Sequence, residues 1–212
     1  AMMKVADHFG FTVNTFTHIL EGYKVADIMA KHGANASTFS DWWTYKMEVT
    51  DAIPQNAYLM QKTGVNVAIN SDDAEMARRL NQEAAKSVKY AGMSEEEALK
   101  MVTLNPAKLL HLDNRMGSLK VGKDADLVLW STNPLSIEAK VVYTFIDGEL
   151  FYSMEQDAVL QKANQIEKTR LLSKMGEQPV STEPRQKFLK KPKRFYHCNT
   201  LGEEGAETEN TH

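Results

Sequence analysis

The run Gly64-Val65-Asn66-Val67-Ala68-Ile69 stops abruptly at Asn70-Ser71-Asp72-Asp73. Val65, Val67 and Ile69 are β-branched and alternate, the pattern of a buried strand. A helical pattern begins at Ala74. Residues 70–73 therefore fall just past the C-terminal end of a strand that leads into a helix. In strand-then-helix folds that end carries the ligands, because the loops there are free of structural duty. Two readings of the carboxylates stand side by side. Asp72 or Asp73 caps the next helix, whose first amides need an acceptor, or a carboxylate there serves as metal ligand or general base.

The same unit recurs upstream. Met2 to Gly10 reads as a short helix stopped by glycine. Phe11 to Phe16 alternates as a strand and ends at Thr17-His18. Gly22 to Lys31 is helical and closed by Gly33, and Ala34 to Phe39 is extended. Ile53 to Lys62 is helical with Pro54 in its first turn, where a missing N–H costs nothing. Strand and helix thus alternate three times, at a spacing that fits βα units of a parallel sheet. A closed eight-stranded barrel takes eight such units and typically about 250 residues. Three units in a chain of 212 residues do not make one.

After Asp73 the texture turns helical over Ala74 to Ala91. Ser94 and Glu97 form a capping-box pattern that opens a helix running to Thr103. Asn105-Pro106 breaks it, and Ala107 to Leu112 restarts a turn. Ala125 to Trp130 reads as a strand. Val141 to Ile146 and Glu149 to Tyr152 form a hairpin around Asp147-Gly148, a favoured two-residue turn. Met154 to Met175 is helical, with Val159, Ala163, Ile166, Leu171 and Met175 along one stripe. Beyond it, Lys187 to Arg194 is basic and Gly202 to Asn210 acidic, a composition that buries too little apolar surface to order a chain. The expected organisation is a βα segment over 1–112, a small β segment over 113–153, a helix over 154–176 and a flexible tail over 177–212.

Composition narrows the class. The chain is 42% hydrophobic and 25% charged with a net charge of −3, which suits a soluble globular protein. That balance gives no overall signal for nucleic acid, and the basic run reads as a solvated tail. No apolar run approaches the roughly 20 residues that span a bilayer. Ala1-Met2-Met3-Lys4 lacks the apolar core of a secretory leader. Ala1 before Met2 reads as a cloning remnant, so the natural N-terminus need not be in view. A single cysteine, Cys198, excludes a disulfide framework and a cysteine-rich metal site. The compartment stays open.

Two strand ends carry the candidate chemistry: His18 after the first strand and Asp72 after the third. In parallel strands both project toward one face. Imidazole and carboxylate are ligands that suit zinc, iron or manganese, although zinc normally takes three or four protein ligands. A histidine at a strand end also serves as an ordinary hydrogen-bonded residue. Glu21, three residues on, could orient the imidazole as its outer partner, or simply favour a helix N-terminus. Trp42, Trp43 and Tyr45 follow the second strand and could wall a substrate pocket or cover the sheet edge. There is no Gly-x-Ser-x-Gly, Walker or Gly-x-Gly-x-x-Gly motif.

Four segments occur in order. They are Phe16-Thr17-His18-Ile19-Leu20-Glu21-Gly22, Ile69-Asn70-Ser71-Asp72, Thr103-Leu104-Asn105-Pro106-Ala107-Lys108-Leu109-Leu110, and Gly117-Ser118-Leu119-Lys120-Val121-Gly122-Lys123-Asp124-Ala125-Asp126-Leu127-Val128-Leu129-Trp130. The Asp147-Gly148 hairpin follows. Together they resemble the C-terminal part of a metal-dependent amidohydrolase of the imidazolonepropionase-like kind, over Met2 to about Tyr152. The resemblance implies an α/β fold: the last three βα units of a (β/α)8 barrel, then the C-terminal part of a small β-sandwich. It implies hydrolysis of C–N bonds by metal-activated water, with a divalent metal, zinc first, as cofactor. His18 then matches a metal-binding histidine. Asp72 matches an aspartate that binds metal and shuttles the proton. A small-molecule or peptide-like amide would be the substrate.

The family's His-x-His pair, its bridging lysine or glutamate and its further histidine have no counterpart here. The resemblance is therefore to a fragment, expected to be inactive alone and to hold no competent metal centre. Its open sheet edge invites self-association. The alternative is a non-catalytic binding or assembly module on an incomplete βα scaffold.

Overall fold

A computed structural model describes residues 1–44 and 46–177 of the chain. Tyr45 and the expected tail from 178 onward, with its basic run and Cys198, lie outside the described residues. The chain divides into two units, Ala1–Asn164 and a second beginning at Gln165.

Three short strands, β1 (Thr15–Thr17), β2 (Asn35–Thr38) and β3 (Val67–Ile69), form a parallel sheet in sequence order. Helices α1 (Met2–Phe9), α2 (Ala26–His32) and α3 (Asn56–Lys62) precede and connect them. The first strand begins later than its alternation suggests. Val13 gives its N–H to Nε2 of His32 at 3.0 Å rather than to a strand, which leaves residues 11–14 as an approach loop. The register aligns Phe16, Ala36 and Val67 across the sheet, and next to them Thr17, Ser37 and Ala68. Side chains alternate across a pleat. One face therefore holds Phe16, Ala36, Thr38, Val67 and Ile69, and the other holds Thr17, Ser37 and Ala68.

The first face builds the core. Ala36, Val67, Met29 and Met60 are fully buried in one cluster with Met101, and Phe16 packs against it. Unbranched methionines fill the irregular space between sheet and helices. A 3₁₀ turn over Gly22–Val25 comes so close to α3 that a Cβ at Gly22 would overlap the Met60 sulfur. Glycine is what permits that approach.

The predicted helix over 74–91 is two helices, α4 (Ala74–Ala77) and α5 (Leu80–Ala91). Arg79, at φ −138°, interrupts the helical backbone between them. Helix α6 (Glu95–Lys100) starts at Ser94, whose Oγ accepts from the Glu97 N–H at 3.3 Å. Only half of the capping box forms, since the Glu97 carboxylate turns to Gln61 and Lys100. Helix α7 (Leu104–Leu109) begins before Asn105-Pro106 rather than after it. Pro106 lies in the first turn, where no N–H is needed. The segment after α6 and the first turn of α7 cover the outer edge of β3: Ile69 donates to the Met101 carbonyl at 3.0 Å, and buried Asn105 donates to the Val67 carbonyl at 2.8 Å.

The second sheet is antiparallel: β4 (Leu127–Trp130), β5 (Val141–Ile146) and β6 (Glu149–Ser153) in that order. Asp147 and Gly148 both adopt positive φ, as a two-residue turn between twisted strands requires. Asp126 accepts from the Asp147 N–H at 2.9 Å and fixes that turn. Upstream, the Lys123 ammonium gathers the Asp113 and Met116 carbonyls and the Ser118 hydroxyl, which folds the glycine-rich crossing on itself. Helix α8 (Met154–Glu177) has no buried residue. No helix among the described residues is long and apolar enough to cross a membrane.

Candidate functional site at the strand ends

His18 and Asp72 lie 54 positions apart and meet beyond the strand ends. Nε2 of His18 is 2.8 Å from Oδ2 of Asp72, and both side chains stay about a third exposed, at 36% and 37%. Both residues have positive φ, 59° and 49°. Histidine and aspartate visit that left-handed region more readily than most residues, yet it still costs of order 1–3 kcal/mol where the surroundings impose it. The backbone is thus bent at both positions where the two side chains come together.

The two neighbouring aspartates have separate tasks. Asp73 is the cap of α4, its Oδ1 accepting from the N–H groups of Glu75 and Met76 at 2.9 and 3.0 Å. That leaves Asp72 to the imidazole. An aromatic stack backs the pair on one side. The His18 ring lies nearly parallel to Phe39 with centroids 5.5 Å apart, and Phe39 stacks on Trp42 at 4.4 Å. The Trp42 indole N–H reaches the sulfur of Met76 at 3.1 Å, linking the loop after β2 to α4.

The other sequence candidates are dispersed. Glu21 bonds to Asp51 and Lys24. One carboxylate oxygen accepts from the Asp51 N–H at 3.0 Å and the other binds the Lys24 ammonium at 2.8 Å. Hydrogen bonds to Asp51 and Glu21 hold Lys24 well above the usual lysine range. Trp43 turns away from Trp42 and meets Tyr90 of α5 edge-on at 6.3 Å. The expectation for Tyr45 falls outside the described residues.

Several residues at the rim have no signal in the sequence. Glu83 of α5 is buried, accepts from the Ser40 hydroxyl at 2.5 Å and pairs with Lys86 at 2.8 Å. Lys86 also reaches Asp41 at 2.9 Å. Burial alone would lower the Lys86 pKa, but its hydrogen bonds to Glu83 and Asp41 prevail and raise it. This network pins the loop carrying Trp42 onto α5. Asn56, also buried, donates to the Ile19 carbonyl at 2.8 Å and to Oγ1 of Thr38 at 3.1 Å, and accepts from the Tyr23 N–H at 2.9 Å. One amide therefore fastens the loop after β1 to β2.

The donor set of the rim is of the right chemistry for a divalent transition metal but too small. His18 and Asp72 are two ligands, and zinc takes three or four from protein. Among the described residues no group of three or more His, Cys, Asp or Glu converges to hold an ion. By themselves these residues do not fit a complete metal centre.

The amidohydrolase family model matches residues 5–151. The chain belongs to the amidohydrolase family. It is 31% identical over 153 residues to the amidohydrolase tasK of Hapsidospora irregularis, an alignment covering 70% of this chain and 16% of that protein. Over a shorter stretch of 59 residues it is 49% identical to the imidazolonepropionase of Erwinia tasmaniensis, covering 28% of this chain and 14% of that one. The crystal structure of an amidohydrolase from Thermotoga maritima MSB8 superposes with a TM-score of 0.66 at 32% identity, over 72% of this chain and 40% of that chain. The chain thus spans well under half the length of these relatives.

Proposed function

We propose that this chain carries the His18–Asp72 half of an amidohydrolase active site, built for hydrolysis of a C–N bond in a small-molecule or peptide-like amide. The single observation that carries the reading is the 2.8 Å approach of His18 and Asp72 at the ends of parallel strands, inside the matched family region. Residues 1–112 are read as the last three βα units of a barrel, 113–153 as the C-terminal part of a β-sandwich and 154–176 as a separate helix. His18 and Asp72 are two of the ligands of a divalent metal, with zinc the first candidate by donor type. When bound, such an ion makes water acidic enough to attack at neutral pH. Asp72 is the group of this chain that takes a proton from the attacking water and returns it to the leaving nitrogen. His18 holds the carboxylate in position for that exchange.

Two donors among the described residues do not complete the centre, so we read the chain as inactive alone, with the remaining ligands supplied by other sequence. The test has two arms. The chain alone, with added zinc or manganese, is assayed against cyclic amides and dipeptides and shows no turnover. Mixed or co-expressed with a polypeptide carrying the upstream His-x-His half of a relative, it gains activity that Asp72→Asn abolishes. Turnover by the chain alone that His18→Ala removes would overturn the fragment reading. A reconstituted complex with no C–N hydrolysis would overturn the catalytic one.

A second reading has its own observation. Leu129, Leu150 and Phe151 of the antiparallel sheet are 52%, 47% and 67% exposed. An apolar sheet surface of this kind and the outer edge of β1 suit self-association of a non-catalytic assembly module. Light scattering distinguishes it: a concentration-dependent dimer, together with no activity on reconstitution, favours the module.

A further inference from the structure

Hydrogen bonds around the rim close into a circuit that neither His18 nor Asp72 could hold alone. Ile19, next to His18, donates its N–H to the Ser37 carbonyl at 3.2 Å. The Ser37 hydroxyl donates to Oδ1 of Asn70 at 2.8 Å. Nδ2 of Asn70 lies 3.4 Å from Oδ1 of Asp72, and Oδ2 of Asp72 returns to Nε2 of His18. The path joins β2 to the segments just past the ends of β1 and β3. It exists because of register: Ser37 pairs with Ala68, and Asn70, two residues further, shares that face of the pleat.

The chemistry fixes the direction of each bond. An ionised carboxylate only accepts, so the amide nitrogen of Asn70 must face Asp72. Its carbonyl oxygen then faces Ser37, which must donate. The 3.4 Å contact is the longest in the circuit and the weakest by geometry. Asp72 consequently has one oxygen steadied by an amide and the other given to the imidazole. Its left-handed backbone supplies no restraint on the carboxyl rotation, whereas the amide does.

We infer that Ser37 and Asn70 are positioning residues for the Asp72 carboxylate, acting as a relay from β2 through the Asn70 side chain. The inference rests on the reading of Asp72 and His18 as the reacting pair. The Ser37 hydroxyl bonds Asn70 and the Asn70 amide bonds Asp72, so their effect on the imidazole travels through Asp72. Asn70→Asp keeps the shape but replaces the donor with a second carboxylate, which repels Asp72. Ser37→Ala removes the hydroxyl, and Ser37→Thr keeps it on a residue that strands accept well.

The experiment is nitrogen-15 spectroscopy of the histidine ring in the whole chain at one neutral pH, with the His18 signals assigned through His18→Gln. Asp72→Asn defines the ring-nitrogen positions of a released imidazole. The relay predicts that Ser37→Ala and Asn70→Asp move the His18 signals toward those positions, and that Ser37→Thr leaves them at the wild-type position. A merely structural role would not be rescued by the hydroxyl alone. If Ser37→Ala loses its dispersed amide spectrum, Asn70→Asp, being isosteric, decides alone. His18 signals unmoved in Asn70→Asp, while Asp72→Asn moves them, would overturn the relay. The readout needs no turnover. A moved signal with a reconstituted complex that never hydrolyses an amide sinks the enzymatic reading, whereas an active complex with unmoved signals sinks the relay.

Discussion

The two sheets of this chain treat their faces in opposite ways. In the parallel sheet, Ala36, Thr38 and Val67 are fully buried under helices, and the other face presents Ser37, with Asn70 just past β3, to a polar circuit. In the antiparallel sheet, Leu127, Val128, Leu129, Leu150 and Phe151 are all exposed. A sheet covered on one side by its own helices can spend the other side on chemistry. The antiparallel sheet spends apolar residues where nothing described in this chain covers them. The contrast teaches that buried packing and buried hydrogen bonds concentrate around β1–β3, and that substitutions of similar size should have very different effects in the two regions.

The sharpest test of that contrast is Asn56→Ala. It leaves the Tyr23 N–H and the Ile19 carbonyl without their buried partner, and each orphaned group costs about 1–3 kcal/mol. A total loss of about 3 kcal/mol is expected, read as a lower urea midpoint with an unchanged slope. A loss below about 1 kcal/mol, the scale of one ordinary hydrogen bond, would mean that the strand-end loops hold themselves.

A smaller effect is expected at Lys86. Lys86→Met leaves buried Glu83 with the Ser40 hydroxyl but no cation. Removing one partner of a buried pair costs about 3–5 kcal/mol, and the partial exposure of Lys86 brings the expectation down to about 2 kcal/mol. The pH dependence has a definite sign. The pKa of Lys86 is raised in the folded chain, so its contribution is whole below the ordinary lysine pKa of 10.5 and is lost as pH climbs through the raised value. Wild type should therefore lose stability at strongly alkaline pH more steeply than Lys86→Met, as thermal melts across pH would show.

The least effect is expected on the second sheet. Phe151→Ser removes a ring that is 67% exposed, and stability should change by no more than about 0.5 kcal/mol. Solubility should improve, since an exposed apolar surface is removed. A large destabilisation would show that the ring is buried in solution, and the comparison between the sheets would fail.

These contrasts were only partly legible in the sequence. Local pattern reached the three βα units, the Asp147-Gly148 hairpin and the two strand ends that carry His18 and Asp72. It reached Asp73 as a cap only as one of two candidates. It could not separate Asp72 from Asp73, because their tasks depend on one backbone φ. Glu21 shows the same limit. Spacing placed it near His18, but could not show that its carboxylate binds Lys24 and the Asp51 N–H. Phe39, Ser37 and Asn56 had no signal, and Asn70 was marked only by its place at the strand end, since their roles come from register and packing between segments up to 37 positions apart.

The central claim is that His18 and Asp72 together are half a metal centre. Zinc uptake by equilibrium dialysis of the whole chain, beside His18→Ala and Asp72→Asn, tests it most directly. The account predicts that the three proteins bind zinc alike, with no tight site that depends on either residue. One tightly held zinc per chain, lost in both variants, would contradict it.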